Sequence, residues 1–249
     1  MVVDLNNTVI LITGAGTGLG MEIAKGLYNN GAKVASISLD YEYIFPDDTL
    51  TYKGDIFDTN FLEESVKDIL NNYGHIDILI NNIGYGTNAF CEELSESEFF
   101  KMFKLNVVSQ YFMIKFLNEK FNINLEKVIN ISSAYSRVTL PTLGGYAATK
   151  FSALDLTKKL SKEFSNITFA CICPGYMQHK KHVKYFSSEY GKSFLYNRIP
   201  LQRVGNPELE LIPSIILLCS PIYRKTRYIE LFIDGGLSAY KTGEENINV

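Results

Sequence analysis

Tyr146 and Lys150 stand four residues apart in Tyr146-Ala147-Ala148-Thr149-Lys150, and Ser133 lies thirteen residues before the tyrosine. On a helix, positions i and i+4 share one face, so an ammonium can sit beside a phenol. A free phenol ionises near pH ~10, and a neighbouring cation favours the phenolate. That pairing makes a tyrosine a usable acid or base near neutral pH. A serine hydroxyl nearby would hold a substrate oxygen while Tyr146 moves its proton. A tyrosine and a lysine on the exposed face of an amphipathic helix would look the same in isolation, so the surrounding elements decide.

Those elements are legible as apolar, β-branched runs alternating with helical patterns. Strands are expected at 8–13 (TVILIT), 33–39, 50–53, 77–80, 127–131, 167–173 and 229–233. Helices are expected after the glycine-rich turn up to Gly31, at 59–73 with Thr59 as its cap, at roughly 96–120, and at 145–164, which carries Tyr146 and Lys150. A further helix at 207–219 has Pro207 at the favoured first position and a kink at Pro213. The link 41–49, with Pro46, has no room for a full helix. Residues 176–200 read as a substrate lid and 238–249 as a mobile polar tail. This alternation predicts an α/β fold: one doubly wound parallel sheet (a Rossmann fold) of about seven strands with helices on both faces, in a single domain over 1–249. Ligands of such sheets bind beyond the carboxyl ends of the strands. Gly14 to Gly20, Asp55, Asn81 to Gly84, Ser133 and Pro174-Gly175 all fall there.

Gly14-Ala15-Gly16-Thr17-Gly18-Leu19-Gly20 joins the first strand to the first helix. Glycines let the backbone turn tightly and approach a ligand, and the helix that follows offers free N–H groups and a positive dipole end to a diphosphate. Strand before and helix after is the context a dinucleotide site requires.

The pattern TGxxxGxG, followed in order by Asp55, Asn81-Asn82-Ile83-Gly84, Asn106, Ser133, Tyr146 and Lys150, Pro174-Gly175 and Asp234-Gly235-Gly236, resembles the short-chain dehydrogenase/reductase family over nearly the whole chain. Ile83 replaces the usual alanine. The resemblance implies hydride transfer between a nicotinamide dinucleotide and a small alcohol or carbonyl compound. It implies Tyr146 as general acid/base and Lys150 as holder of the nicotinamide ribose. It also implies Ser133 as partner of the substrate oxygen, and Asn106 as support for a water that relays protons to Lys150. For the dinucleotide it implies Gly14, Thr17, Gly18, Leu19, Asp55, Ile56, Asn82, Gly84, Tyr146, Lys150, Pro174 and Gly175, to which Asp40 is added as the carboxylate nearest the end of the second strand. Relatives of this kind commonly assemble as homotetramers, so a homo-oligomer is expected. A non-catalytic dinucleotide sensor, or a dehydratase or epimerase using bound NAD, remain alternative readings.

The end of the second strand usually selects the dinucleotide, because a carboxylate there binds the ribose of NAD and repels the 2′-phosphate of NADP. The acidic position falls on Ser38 and the basic one on Leu39. Asp40, two residues late, is the nearest carboxylate, and no Arg or Lys occurs in the glycine turn or at 38–42. NAD is favoured and NADP stays open.

The lid holds His179, Lys180, Lys181, His182 and Lys184 among aromatic residues. A solvated charge run and an attractant for an anionic substrate are both open; a metal at His179 and His182 lacks a third ligand. The formal net charge of −3 gives no reason to expect nucleic acid. No apolar run reaches the ~18 residues of a membrane span, and the first residues lack a basic leader. A cytoplasmic location follows. Of the four cysteines, Cys171 and Cys173 are read as core thiols on opposite faces of a strand.

Overall fold

The computed structural model describes residues 3–138, 140–178, 185–223 and 225–239. The strands β1 (Val9–Thr13), β2 (Lys33–Ser38), β3 (Leu50–Lys53), β4 (Ile78–Asn81), β5 (Lys127–Ile131), β6 (Thr168–Pro174) and β7 (Tyr228–Ile233) form one sheet in the order β3-β2-β1-β4-β5-β6-β7. Every pairing is parallel. The helices are α1 (Gly18–Asn29), α2 (Thr59–Tyr73), α3 (Glu96–Phe103), α4 (Ser109–Phe121), α5 (Gly144–Glu163), α6 (Glu189–Arg198) and α7 (Ile212–Cys219). The order reverses between β1 and β4, which opens a crevice at their carboxyl ends.

Alternation along the strands sorts the core into two layers. Ile10 and Ile12 of β1 pack with α1 and α7, through Ile23, Leu27, Ile212 and Ile215. Val9 and Leu11 pack on the other face with α2 and α4, through Leu62, Ile69, Met113 and Leu117. The central strands are buried on both faces, so they read as unbroken apolar runs.

Three local expectations need correction. The cap of α2 is Asp58, not Thr59: its side chain accepts from the N–H groups of Asn60 and Phe61, and an ionised carboxylate there also suits the helix dipole. The 207–219 helix is not one kinked rod; a π turn at Pro207–Leu211 gives way to α7, with Pro213 in its first turn. A proline there has no N–H to bond four residues back. Cys171 and Cys173 share a face, as residues two apart on a strand must, and both pack with Leu154.

The long helix expected at 96–120 is α3 and α4 joined by a π turn at Lys104–Val108. The link after β2 contains no helix; the Tyr41 hydroxyl donates to the Ser36 carbonyl at 2.8 Å and Phe45 is buried beneath it. Arg227, before β7, donates to the carbonyls of Ser161, Phe164 and Ser165 at the end of α5. Lys127, at the start of β5, is buried and donates to the carbonyls of Leu218, Cys219 and Ser220 that close α7.

Candidate active site

The glycine turn sits where β1 meets α1. Gly14 adopts φ 70° and Gly18 φ 56°, left-handed values that a side chain disfavours. The turn also lies tight against the end of β2: a Cβ on Gly16 would stand 1.6 Å from the Asp40 carbonyl oxygen, and Glu42 N–H donates to the Gly16 carbonyl at 2.8 Å. Asn82 locks the other side, its amide donating to the carbonyls of Thr13 (3.3 Å) and Gly14 (2.9 Å). No side chain caps α1, so its leading N–H groups open into the cleft. These open donors, with no side chain filling the turn, fit a diphosphate.

The residues expected to handle the proton come from the end of β5 and from α5. Ser133 opens a short 3-10 turn at Ala134–Ser136, and its Oγ accepts from Tyr135 N–H at 3.2 Å. Tyr146 and Lys150 lie one turn apart on α5. Lys150 is buried; its Nζ donates to the Ile131 carbonyl at 3.1 Å and stands 5.8 Å from the Tyr146 ring centroid, within cation–π range. Asn106 is fully buried in the π turn between α3 and α4. Its side chain accepts from Tyr85 N–H and donates to the Tyr85 carbonyl and to Thr149 Oγ1, each at 2.8 Å. Asn106 therefore fixes the chain just after Asn82-Ile83-Gly84 onto α5, and does not face solvent. A Cβ on Gly84 would meet both Asn106 Oδ1 and Lys150 Nζ at 3.2 Å.

A cleft of about 680 Å³ runs over the strand ends. It brings together every residue expected at the dinucleotide: Gly14, Thr17, Gly18 and Leu19 of the turn, Asp40, Asp55 and Ile56 at one end, Asn82 and Gly84 at the switch point, and Tyr146, Lys150, Pro174 and Gly175 at the other. Asn106 stands behind the wall. A second cleft, of about 350 Å³, adjoins the first and is walled by Asn88, Tyr135, Leu143 and Tyr176. Ser133, Tyr146, Gly86 and Gly175 border both. Among the described residues around the second cleft no side chain is charged. The basic cluster 179–184, His179 and His182 included, lies outside the described residues. No group of three or more potential metal ligands occurs among the described ones.

Sequence reading missed three contributors. Lys53, at the end of β3, pairs with Asp40 at 2.8 Å, and its hydrogen bond holds the Asp40 carboxyl below its ordinary range. Lys101 of α3 lines the dinucleotide cleft, 4.3 Å from the Tyr85 ring centroid. Tyr135 lines the second cleft and hydrogen-bonds Tyr176. A tyrosine two residues after Ser133 was the only available signal for the last, since its partner is 41 residues away.

Comparison with known proteins agrees with this geometry. The family described as short chain dehydrogenase matches residues 8–190. The 2-dehydro-3-deoxy-D-gluconate 5-dehydrogenase of Escherichia coli K12 is 28% identical over 94% of this chain and 96% of its own. The 7alpha-hydroxysteroid dehydrogenase of Paraclostridium sordellii is 30% identical over 82% of each chain. The crystal structure of 3-ketoacyl-(acyl-carrier-protein) reductase from Brucella melitensis, complexed with NADH, superposes with a TM-score of 0.81 at 28% identity, over 94% of this chain and 100% of that one.

Proposed function

Since the chain belongs to the short-chain dehydrogenase family, we propose a role for each residue in its two clefts. The protein is an oxidoreductase that transfers a hydride between a nicotinamide dinucleotide and the alcohol or keto carbon of a small molecule. The observation that carries the assignment is that Ser133 and Tyr146 border both clefts. A group bound in either one meets them.

Tyr146 Oη gives its proton to the carbonyl oxygen in reduction, or takes it from the carbinol in oxidation. Ser133 Oγ holds the same oxygen. Lys150 sets a positive charge beside the phenol ring and takes the ribose hydroxyls nearest the nicotinamide. Asn106, bound to Tyr85 and Thr149, keeps the two walls in register and supports the relay of protons to Lys150. The first turn of α1 binds the diphosphate, while Asp55 and Ile56 flank the adenine end. When bound, the nicotinamide supplies the hydride chemistry. The remaining work of the protein is orientation and the placement of charge.

NAD is the favoured dinucleotide. Asp40 presents a carboxylate to the cleft, and the glycine turn carries no cation. Lys53 beside Asp40 keeps NADP within reach. A homo-oligomer accords with the apolar side chains that α5 and the α4 region expose, Val108, Tyr111 and Phe151. A reducing, cytoplasmic setting accords with four unbridged cysteines. No helix among the described residues is long and apolar enough to cross a membrane.

The test is Tyr146→Phe, assayed by nicotinamide absorbance over a panel of alcohols and ketones with both dinucleotides. Loss of general acid/base catalysis is expected to lower kcat by at least ~10²-fold, with circular dichroism and dinucleotide binding unchanged. A variant that keeps wild-type turnover refutes the role given to Tyr146.

A further inference from the structure

The second cleft carries a hydroxyl that the reaction itself does not use. Tyr135 is almost completely buried, two residues after Ser133 on the same turn, with its ring centroid 6.4 Å from that of Tyr146. Its Oη lies 2.5 Å from Tyr176 Oη. The two rings meet edge to face, and Tyr176 is braced in the same manner by Phe186 and by Phe194 of α6. Tyr135 therefore stands at a fixed place in the wall.

A phenol offers one donor and two acceptor sites. The contact between the two rings uses one proton, whichever of them donates. If Tyr176 donates, Tyr135 keeps its own proton for another partner; if Tyr135 donates, its oxygen keeps lone pairs. The Tyr135 hydroxyl, already paired with Tyr176, thus keeps capacity for one more hydrogen bond to a group bound in the cleft. Burial, first of all, pushes both phenols up from the ordinary tyrosine range, so they remain neutral and suit an uncharged oxygen.

We propose that Tyr135, braced by Tyr176, reads a second oxygen on the substrate, carried by the carbon next to the one that exchanges hydride. The preferred substrate class is then vicinal diols and α-hydroxyketones over isolated alcohols and ketones. Ser133, Tyr146 and Tyr135 line one cleft, so a substrate whose reacting oxygen is held by the first two would turn its neighbouring carbon toward the third. The proposal rests on Ser133 and Tyr146 being the reacting pair.

The experiment compares matched ketones that differ by one hydroxyl, 3-hydroxy-2-butanone with 2-butanone and 2-hydroxycyclohexanone with cyclohexanone, each with NADH and NADPH. The wild type is expected to favour the hydroxylated member in kcat/KM by about tenfold, the worth of one neutral hydrogen bond. In Tyr135→Phe that preference collapses through loss on the hydroxylated member, while the plain ketone changes by no more than about twofold. Tyr176→Phe, which removes the hydrogen bond to Tyr135 and keeps the packed ring, moves in the same direction by less. Equal kcat/KM for both members in the wild type, a preference that survives Tyr135→Phe, or no turnover of any member overturns the proposal. Tyr146→Phe, run beside them, separates the two levels. If it keeps turnover, the reacting pair is misassigned; if it abolishes turnover while Tyr135→Phe retains the preference, only the second-oxygen reading fails.

Discussion

Lys53 Nζ stands 2.8 Å from the Asp40 carboxylate although 13 residues separate them in the chain. The register that sets Ser38 opposite Lys53 makes the contact. Both side chains are largely exposed, so the pair adds little to stability. Its significance is position, because Asp40 lines the dinucleotide cleft on the side away from Tyr146 and Lys150. A carboxylate there accepts from ribose hydroxyls, and an ammonium there neutralises a 2′-phosphate. Asp40→Asn is expected to weaken NADH binding about tenfold, ~1.4 kcal/mol, and Lys53→Met to weaken NADPH by a similar factor while sparing NADH. Fluorescence titration of each nucleotide measures this. Equal effects of each substitution on both nucleotides would rule out the division.

Gly86 packs directly against the Tyr146 ring at the candidate site. A Cβ there would stand 2.6 Å from Tyr146 Cδ2 and 2.9 Å from Cε2, closer than atoms can approach, so the ring has to turn or shift. Gly86→Ala should lower kcat roughly 10- to 100-fold, the cost of misplacing a catalytic group by a fraction of an ångström to 1 Å. Dinucleotide affinity should fall by less than kcat, because Gly86 packs on Tyr146 at the border of the two clefts and not on the glycine turn. A variant with wild-type kcat would show that the phenol's place does not depend on this glycine.

Lys127 tests the scaffold and not the chemistry. Its buried ammonium closes α7 by donating to three carbonyls. Those acceptors lose a charged donor in Lys127→Met, at a cost of about 2–3 kcal/mol. For a chain of this size that corresponds to a fall in Tm of roughly 5–10 °C. The melting curve should shift while kcat/KM at a temperature well below the transition stays within twofold of wild type, about the noise of such comparisons. An unchanged Tm would mean that water replaces the ammonium.

The residues that gather at the candidate site were legible because their signals are local. Gly14 to Gly20, Ser133, and Tyr146 with Lys150 each occupy a short string: the first joins β1 to α1, the second follows β5, and the third lies in the opening turns of α5. The strands were legible because central parallel strands are apolar throughout. What escaped depends on contacts that no short string encodes. Lys53 meets Asp40 only through strand register, and Tyr135 meets Tyr176 across 41 residues. Asn106 was legible as a site residue only through its place in the motif order; its partners Tyr85 and Thr149, set by the π turn, were not. Asp58 displaced Thr59 as the cap of α2 by a single position, within the usual uncertainty of helix ends.

The missing helix between β2 and β3 leaves a mark beyond the dinucleotide. β3 is a margin of the sheet, and a margin is a ready template on which another chain can lay a strand. Two devices guard it: the strand has only four residues, and it ends on an exposed lysine. Lys53 thus guards the sheet margin as well as pairing with Asp40. Exchanging it for an apolar residue is expected to change how copies of the protein meet each other.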